Sequence, residues 1–273
     1  MHLLLKFKKG NTMNFIKYGI LSIALTLTLN VFSGEAEDKG LAIAQETKAI
    51  DLGWKDSSAV LEMILKNQHG ETSTRKMRMK SIEQKGDGDK SLNIFDSPRD
   101  VKGTAFLSFS HPVGNDEQWL YLPALKRVKR ISSRNKSGSF MGSEFSFEDL
   151  TSFEVDKYTY KYLRDELVDG DICWVVVQYP IDKYSGYKKR IVWIDQSEHR
   201  IRKTDFYDRK DTLLKTLTMT NFHHINKAFW RPQILSMVNH QSGKSTVLNF
   251  SEYVLSTGLN EKDFNKNALK RAR

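Results

Sequence analysis

The sequence predicts a mainly β protein: one long, strongly curved antiparallel sheet with a few helices held against its apolar concave side. Three observations carry this. About a dozen segments alternate apolar and polar residues or are rich in β-branched and aromatic ones. Most are joined by short turn-type connections such as HGET, VDGD, DRKD and HQSG, which suit a meander of antiparallel neighbours. Helical patterns are few, and a long sheet with one wet and one apolar face has to curl and be covered. The strands alone leave open whether the sheet edges meet in a closed barrel.

The chain starts with a targeting pattern. From Met13 it reads MNFIKYGILSIALTLTLNVFSGEA: Lys17, an apolar run from Gly19 to Phe32, then Ser33, Gly34 and Ala36. That order is a secretory signal peptide cut after Ala36, with Met13 as the start and residues 1–12 as an over-long upstream stretch. The apolar run is diluted by Ser22, Thr26, Thr28 and Asn30 and falls short of the roughly 20 residues a membrane span needs. No cysteine near the cut offers a lipid attachment point. The expectation is a leader over 1–36, then a single exported, unlipidated domain over 37–273.

The first element of that domain is a helix over 37–53, where Leu41, Ala44, Ala49 and Leu52 form a stripe with Ile43 and Ile50 alongside. Strands follow: AVLEMILK (59–66), TRKMRMKSIEQ (74–84), SLNIFDS (91–97), TAFLSFS (104–110), WLYL (119–122) and RVKRIS (127–132). The second half continues with YTYKYLRDE, ICWVVVQYP, KRIVWID, RIRKTDFYD, LLKTLTMTNFHHI, WRPQILSMVN and KSTVLNFSEYVL. In LLKTLTMT, Thr216, Thr218 and Thr220 face one way and Leu217 and Met219 the other. Two short helical candidates complete the set: one opened by a Ser-x-x-Asp cap at Ser146–Asp149, and one near Glu261–Leu269.

The whole chain carries +10; losing the leader's four lysines and one glutamate leaves +7. Such an excess suits nucleic acid, anionic membrane or an acidic partner. Export removes nucleic acid and leaves anionic headgroups as the natural counter-surface. Cys173, the one cysteine, sits in a buried-strand pattern and reads as a small core residue.

Several motifs dissolve on inspection. SGKST at 242–246 lacks the upstream glycine of a phosphate loop, since that position is Val238, and it lies between strands. GDGD at 86–89 lacks the rest of a calcium loop and reads as a turn. His223 and His224 are neighbours in a strand and point to opposite faces, so no shared metal is expected. SGSFMGS is not a nucleophile elbow. No cofactor, metal site or catalytic assembly is expected, and the chain reads as a non-enzyme.

The stretch QWLYLPALKRVKRISSRNKSGSFMGSEFSFEDL carries the sharper signal. With GDGDKSLNIFDSPRDVKGTAFL, CWVVVQYPID, GYKKRIVWID, KTDFYDRKDTLLKTLT and GLNEKDFNKNALKR, it resembles the outer-membrane lipoprotein-sorting proteins, distant relatives of the LolA/LolB carriers. The resemblance covers nearly all of the exported part. It implies an unclosed half-barrel with helices lidding a hydrophobic cavity and residence in the periplasm. It also implies a lipid, lipoprotein or other hydrophobic cargo, and work beside an exporter of the RND/MMPL type. No individual LolA residue is carried over.

On that reading the candidate cavity residues are Met63, Met77, Met79, Phe106, Trp119, Tyr121, Met141 and Phe145, with Phe140, Met141, Phe145 and Phe147 forming an apolar flap. Flexible thioethers and aromatics suit ligands of varied shape; the alternative is ordinary core packing. The cations Lys126, Arg127, Lys129 and Arg130 are the candidate docking surface for a membrane or partner, or else the wet side of a hairpin.

Overall fold

The computed structural model describes residues 28–271. The residues from Ala36 onward form one compact unit. The signal-peptide pattern, except for its last residues, lies outside the described ones. The first helix, α1 (Thr28–Ile50), passes through the expected cut and stops three residues short of the expected end.

Thirteen strands follow: β1 (Asp56–Lys66), β2 (Thr72–Ile82), β3 (Lys90–Ser97), β4 (Ala105–Phe109), β5 (Glu117–Leu122), β6 (Arg127–Ile131), β7 (Tyr158–Val168), β8 (Asp171–Pro180), β9 (Tyr187–Asp195), β10 (Ile201–Asp208), β11 (Leu213–Ile225), β12 (Phe229–Asn239) and β13 (Ser245–Leu255). They form one sheet in the order β6-β5-β4-β3-β2-β1-β13-β12-β11-β10-β9-β8-β7. Every neighbouring pair is antiparallel. The sheet is not closed into a barrel: β6 and β7, consecutive in the chain, are its two edges. The chain starts in the middle of the sheet and works outward to β6. It then crosses to the far edge through residues 132–157 and returns until β13 pairs with β1.

Directly paired residues share a face, so the register sorts the sheet into two surfaces. Val192, Thr204, Leu217 and Met237 are successive partners from β9 to β12. They share the face onto which both α1 and the crossing segment pack, here the inner face. Near the crossing segment this face is a dense cluster of Leu61, Met63, Met77, Phe95, Phe106, Leu217 and Met237 with Phe140 and Phe145. Under α1 it is a second cluster, in which Ile43 and Ala44 meet Tyr160, Val176, Val192 and Ile194. α1 approaches so closely that a Cβ at Gly40 would stand 2.8 Å from the Tyr162 nitrogen.

The short C-terminal helix α2 (Lys266–Arg271) corrects one expectation. It covers the opposite, outer face, where Leu269 and Phe264 pack on Leu92, Leu107 and Trp119. Over the inner face lie α1 and two single turns of the crossing segment, Phe147–Leu150 and Val155–Lys157, with Val155 packed on the cluster under α1. Cys173 is fully buried on the outer side with Val175 and Trp193, and burial pushes its thiol up to about 11. The SGKST and GDGD motifs are turns, with positive φ at Gly243 and Gly86.

Candidate functional site

The crossing segment is held by charge as well as by apolar contact. At its tip Ser139 and Ser146 bridge, the Phe140 N–H donates to the Phe145 carbonyl at 2.7 Å, and Met141 and Gly142 turn the chain with φ of 52° and 78°. The turn drives two rings into the sheet. Phe140 and Phe145 are 1% and 3% exposed, and Phe140 lies 5.1 Å from Phe106 and 5.9 Å from Phe95, centroid to centroid. Arg75 donates to the Met141 carbonyl at 2.5 Å. Behind the tip the expected cap is present: the Ser146 N–H donates to Asp149 Oδ2 at 2.7 Å. That same oxygen receives Lys215 Nζ at 2.7 Å, while Tyr187 donates to Asp149 Oδ1 at 2.7 Å. The segment therefore plugs this half of the inner face.

The other half is hollow. A cavity of about 430 Å³ lies between the C-terminal end of α1 and strands β1–β3 and β11–β13. One wall is aromatic and thioether: Met219, Phe222, Phe229, Trp230 and Tyr253. Trp230 is fixed in place by three contacts. Its indole N–H donates to Glu198 at 2.9 Å, His224 stacks on it with centroids 4.4 Å apart, and the Arg200 guanidinium lies 4.9 Å from its ring. Arg231 donates to Asp51 at 2.5 Å and ties β12 to the chain just beyond α1. Burial works against the Arg231 charge, but Asp51 beside it more than restores it. Lys48 closes the helix side, donating to the Phe153 carbonyl at 3.0 Å and to Glu154 at 3.3 Å. The other wall is polar, with Ser57, Ser81, Ser91 and Asp89; burial lifts the Asp89 carboxyl above its ordinary range against the pull of Lys48. A second cavity of about 310 Å³ opens where the β4–β5 and β8–β9 connections meet the crossing segment. Its lining mixes apolar side chains such as Val113 and Ile181 with charged groups, among them Lys136, Glu148 and Asp182.

The residues singled out from sequence fall into three places. Met63, Met77, Phe106, Phe140 and Phe145 are buried in the plugged cluster, and Met79, Met141 and Phe147 pack against it. Trp119 and Tyr121 do not join them. Paired with Leu107 and Ala105, they face outward under α2, Trp119 with Lys266 Nζ 4.6 Å from its ring. Phe106 pairs with Leu120, so one step along β5 exchanges the faces. None of the ten lines either cavity.

Lys126, Arg127, Lys129 and Arg130 are exposed on the edge strand β6 and its turn, with Arg130 3.1 Å from Glu117. Charge on an open edge also discourages pairing with another chain. Sequence reasoning missed the aromatic wall and the Lys215–Asp149 pair. The signal for Lys215 was present, since it shares the parity of Leu217 and Met219 and so had to point inward. His223 and His224 part as expected, His223 towards Gln233 and His224 onto Trp230.

Comparison with known proteins agrees with this architecture. A family model described as "Uncharacterized protein" matches residues 87–271. The crystal structure of a Vibrio parahaemolyticus domain named for outer membrane lipoprotein sorting is 60% identical. It covers 86% of this chain and 100% of its own, with a TM-score of 0.85. A DUF1329 family protein from Desulfovibrio piger is 30% identical over 86% of this chain and 99% of its own, TM-score 0.81. A LolA superfamily protein from Nitrosomonas europaea is 22% identical and shares the fold, TM-score 0.67, over 84% of this chain and 98% of its own. A search of the curated proteins found no match.

Proposed function

The chain belongs to the outer membrane lipoprotein-sorting (DUF1329) family with the LolA-like fold, and we propose that it is an exported carrier holding a hydrophobic cargo in the cavity under α1. On this reading it works in the periplasm after removal of residues 1–36 and moves a lipid, lipoprotein or comparable cargo between inner and outer membranes. The observation that carries the proposal is the hollow half of the inner face, with Phe222, Phe229, Trp230 and Tyr253 on its wall.

Magnitude favours partial burial of the cargo. Each methylene hidden from water contributes roughly 0.8 kcal/mol, so a chain of ~16 carbons gains on the order of 10 kcal/mol gross. Three such chains would exceed what reversible binding can use. A plug that pre-fills half of the inner face limits how much cargo is hidden, which keeps release possible.

The test is to purify the protein from its native envelope, extract it with organic solvent and weigh what comes off. Stoichiometric lipid or lipopeptide supports the carrier; an empty protein counts against it. A second reading has its own observation: Phe140 and Phe145 already fill the plugged cluster, as in an adaptor that needs no cargo. Such an adaptor would bind an RND/MMPL-type exporter and tune it, and it would co-purify empty with that transporter.

A further inference from the structure

The polar wall of the cavity is a built feature of the sheet. Ser57 of β1 pairs with Ser81 of β2, Ser81 with Ser91 of β3, and Ser91 with Ser108 of β4, which faces Gln118 of β5. Direct partners share a face, so five strands present one row of small hydroxyls and an amide to the inner side. At the β4–β5 end the row is satisfied: Gln118 donates to Ser108 at 3.4 Å and to the Phe147 carbonyl of the crossing segment at 2.8 Å. At the β1–β3 end it opens into the cavity. There Ser57 is 0% exposed, yet its hydroxyl has no partner. Among the described residues no side-chain hydrogen bond is made by Ser81 or Ser91 either. A buried hydroxyl without a partner carries a desolvation cost that a bound group can relieve.

The charges around the cavity say what that group is. All four Lys and Arg on its walls already face carboxylates: Lys48 with Glu154, Lys90 with Glu261, Arg200 with Asp195 and Arg231 with Asp51. No described cation there is left for a phosphate or carboxylate. The carboxyl of Asp89 stands on the same wall and accepts hydrogen bonds. At about 430 Å³ the space lies in the lower part of the range of single small-ligand pockets, about 300–1,000 Å³, and suits one chain.

We infer that Ser57, Ser81, Ser91 and Asp89 form a head-group subsite for a single-chain amphiphile with an uncharged, hydroxyl-bearing head, its chain lying on the Phe222–Trp230 wall. The inference rests on the carrier reading and narrows its cargo.

The experiment titrates the full-length chain with monopalmitoylglycerol, lysophosphatidylglycerol and the apolar dye N-phenyl-1-naphthylamine. The wild type is expected to bind monopalmitoylglycerol in preference to lysophosphatidylglycerol and to bind the dye. The variant S57A/S81A/S91A is expected to bind monopalmitoylglycerol about tenfold or more weakly, from the loss of several net hydrogen bonds, and the dye within about twofold of wild type. S81A/S91A, which leaves the buried Ser57 untouched, is expected to fall between them and serves if the triple variant unfolds. Unchanged lipid affinity in the variants, or equal loss of lipid and dye, overturns the subsite and leaves the carrier reading standing. Equal or tighter binding of lysophosphatidylglycerol overturns the uncharged head. Failure of the wild type to bind dye or either lipid overturns the carrier reading itself.

Discussion

Lys215 Nζ lies 2.7 Å from Asp149 Oδ2, with both side chains 5% exposed. The pair joins the start of β11 to the segment that crosses between the sheet's two edges. Burial alone would raise the Asp149 carboxyl. The charge and hydrogen bond of Lys215, with the Ser146 N–H and Tyr187, more than reverse this and hold it below its ordinary value. Breaking a buried pair leaves an uncompensated charge, so Asp149→Asn or Lys215→Met should each cost about 3–5 kcal/mol in urea unfolding. The double variant should lose less than the sum of the singles by about 1 kcal/mol or more. Because the folded value is depressed, this stability is fully present above the ordinary carboxylate value of 3.8 and fades as pH falls through the lower folded value. Between those two values wild type should lose stability more steeply than Asp149→Asn; parallel curves across that window would contradict the assignment.

Glu148, the next residue back, has the opposite sign. Burial, then the neighbouring Asp149 charge, push its carboxyl up, against the Gly186 N–H, Lys136 and Ser185. A raised folded value means that ionisation costs stability as pH rises above the ordinary 4.5. Glu148→Gln should therefore be more stable than wild type at pH 7, and the gap should close towards pH 4. Denaturant midpoints at the two pH values measure it, and a gap that widens on acidification would refute it.

Gly40 sets the distance between α1 and β7. An added Cβ would meet the Tyr162 nitrogen at 2.8 Å and the Lys161 carbonyl carbon at 3.0 Å, backbone atoms with no side-chain freedom to yield. Gly40→Val should cost about 1–3 kcal/mol, as overpacking typically does. Leu41→Ala, at the exposed neighbouring position, should stay within about 0.5 kcal/mol. Thermal unfolding of the two variants side by side decides it.

Reversing Lys126, Arg127, Lys129 and Arg130 to glutamate tests the edge of the sheet. If this surface docks, the variant should lose binding to anionic vesicles in a flotation assay while its melting temperature holds, because the four side chains are exposed. Unchanged binding would sink docking and leave the cations as guards of an open edge. In that case replacing them with Thr and Val should promote aggregation instead.

Much of the fold was legible because a strand announces itself locally. Each of the thirteen strands coincides with a segment whose alternation or β-branched content marked it, and the outward Thr216 and Thr218 against inward Leu217 and Met219 were readable directly. The helical stripe from Leu41 to Ile50, though not where its helix begins, the Ser146–Asp149 cap and the turns at 86–89 and 242–246 were readable for the same reason. The face of Trp119 and Tyr121 was not. It depends on how the loop after Ser110 sets the β4–β5 register, and a one-residue difference exchanges cavity side for outer side.

The sequence by itself determined the strands, their turns and which residues along one strand share a face, since these follow from the two-residue period of an extended chain. Only the tertiary structure decided that β13 returns to pair with β1 and that residues 132–157 must cross from edge to edge. That crossing explains why Phe140 and Phe145 became a plug and why the hollow lies elsewhere, between Trp230 and the Ser57–Ser81–Ser91 row. Filling or leaving a space depends on which distant segments meet, and no local pattern in the chain encodes that meeting.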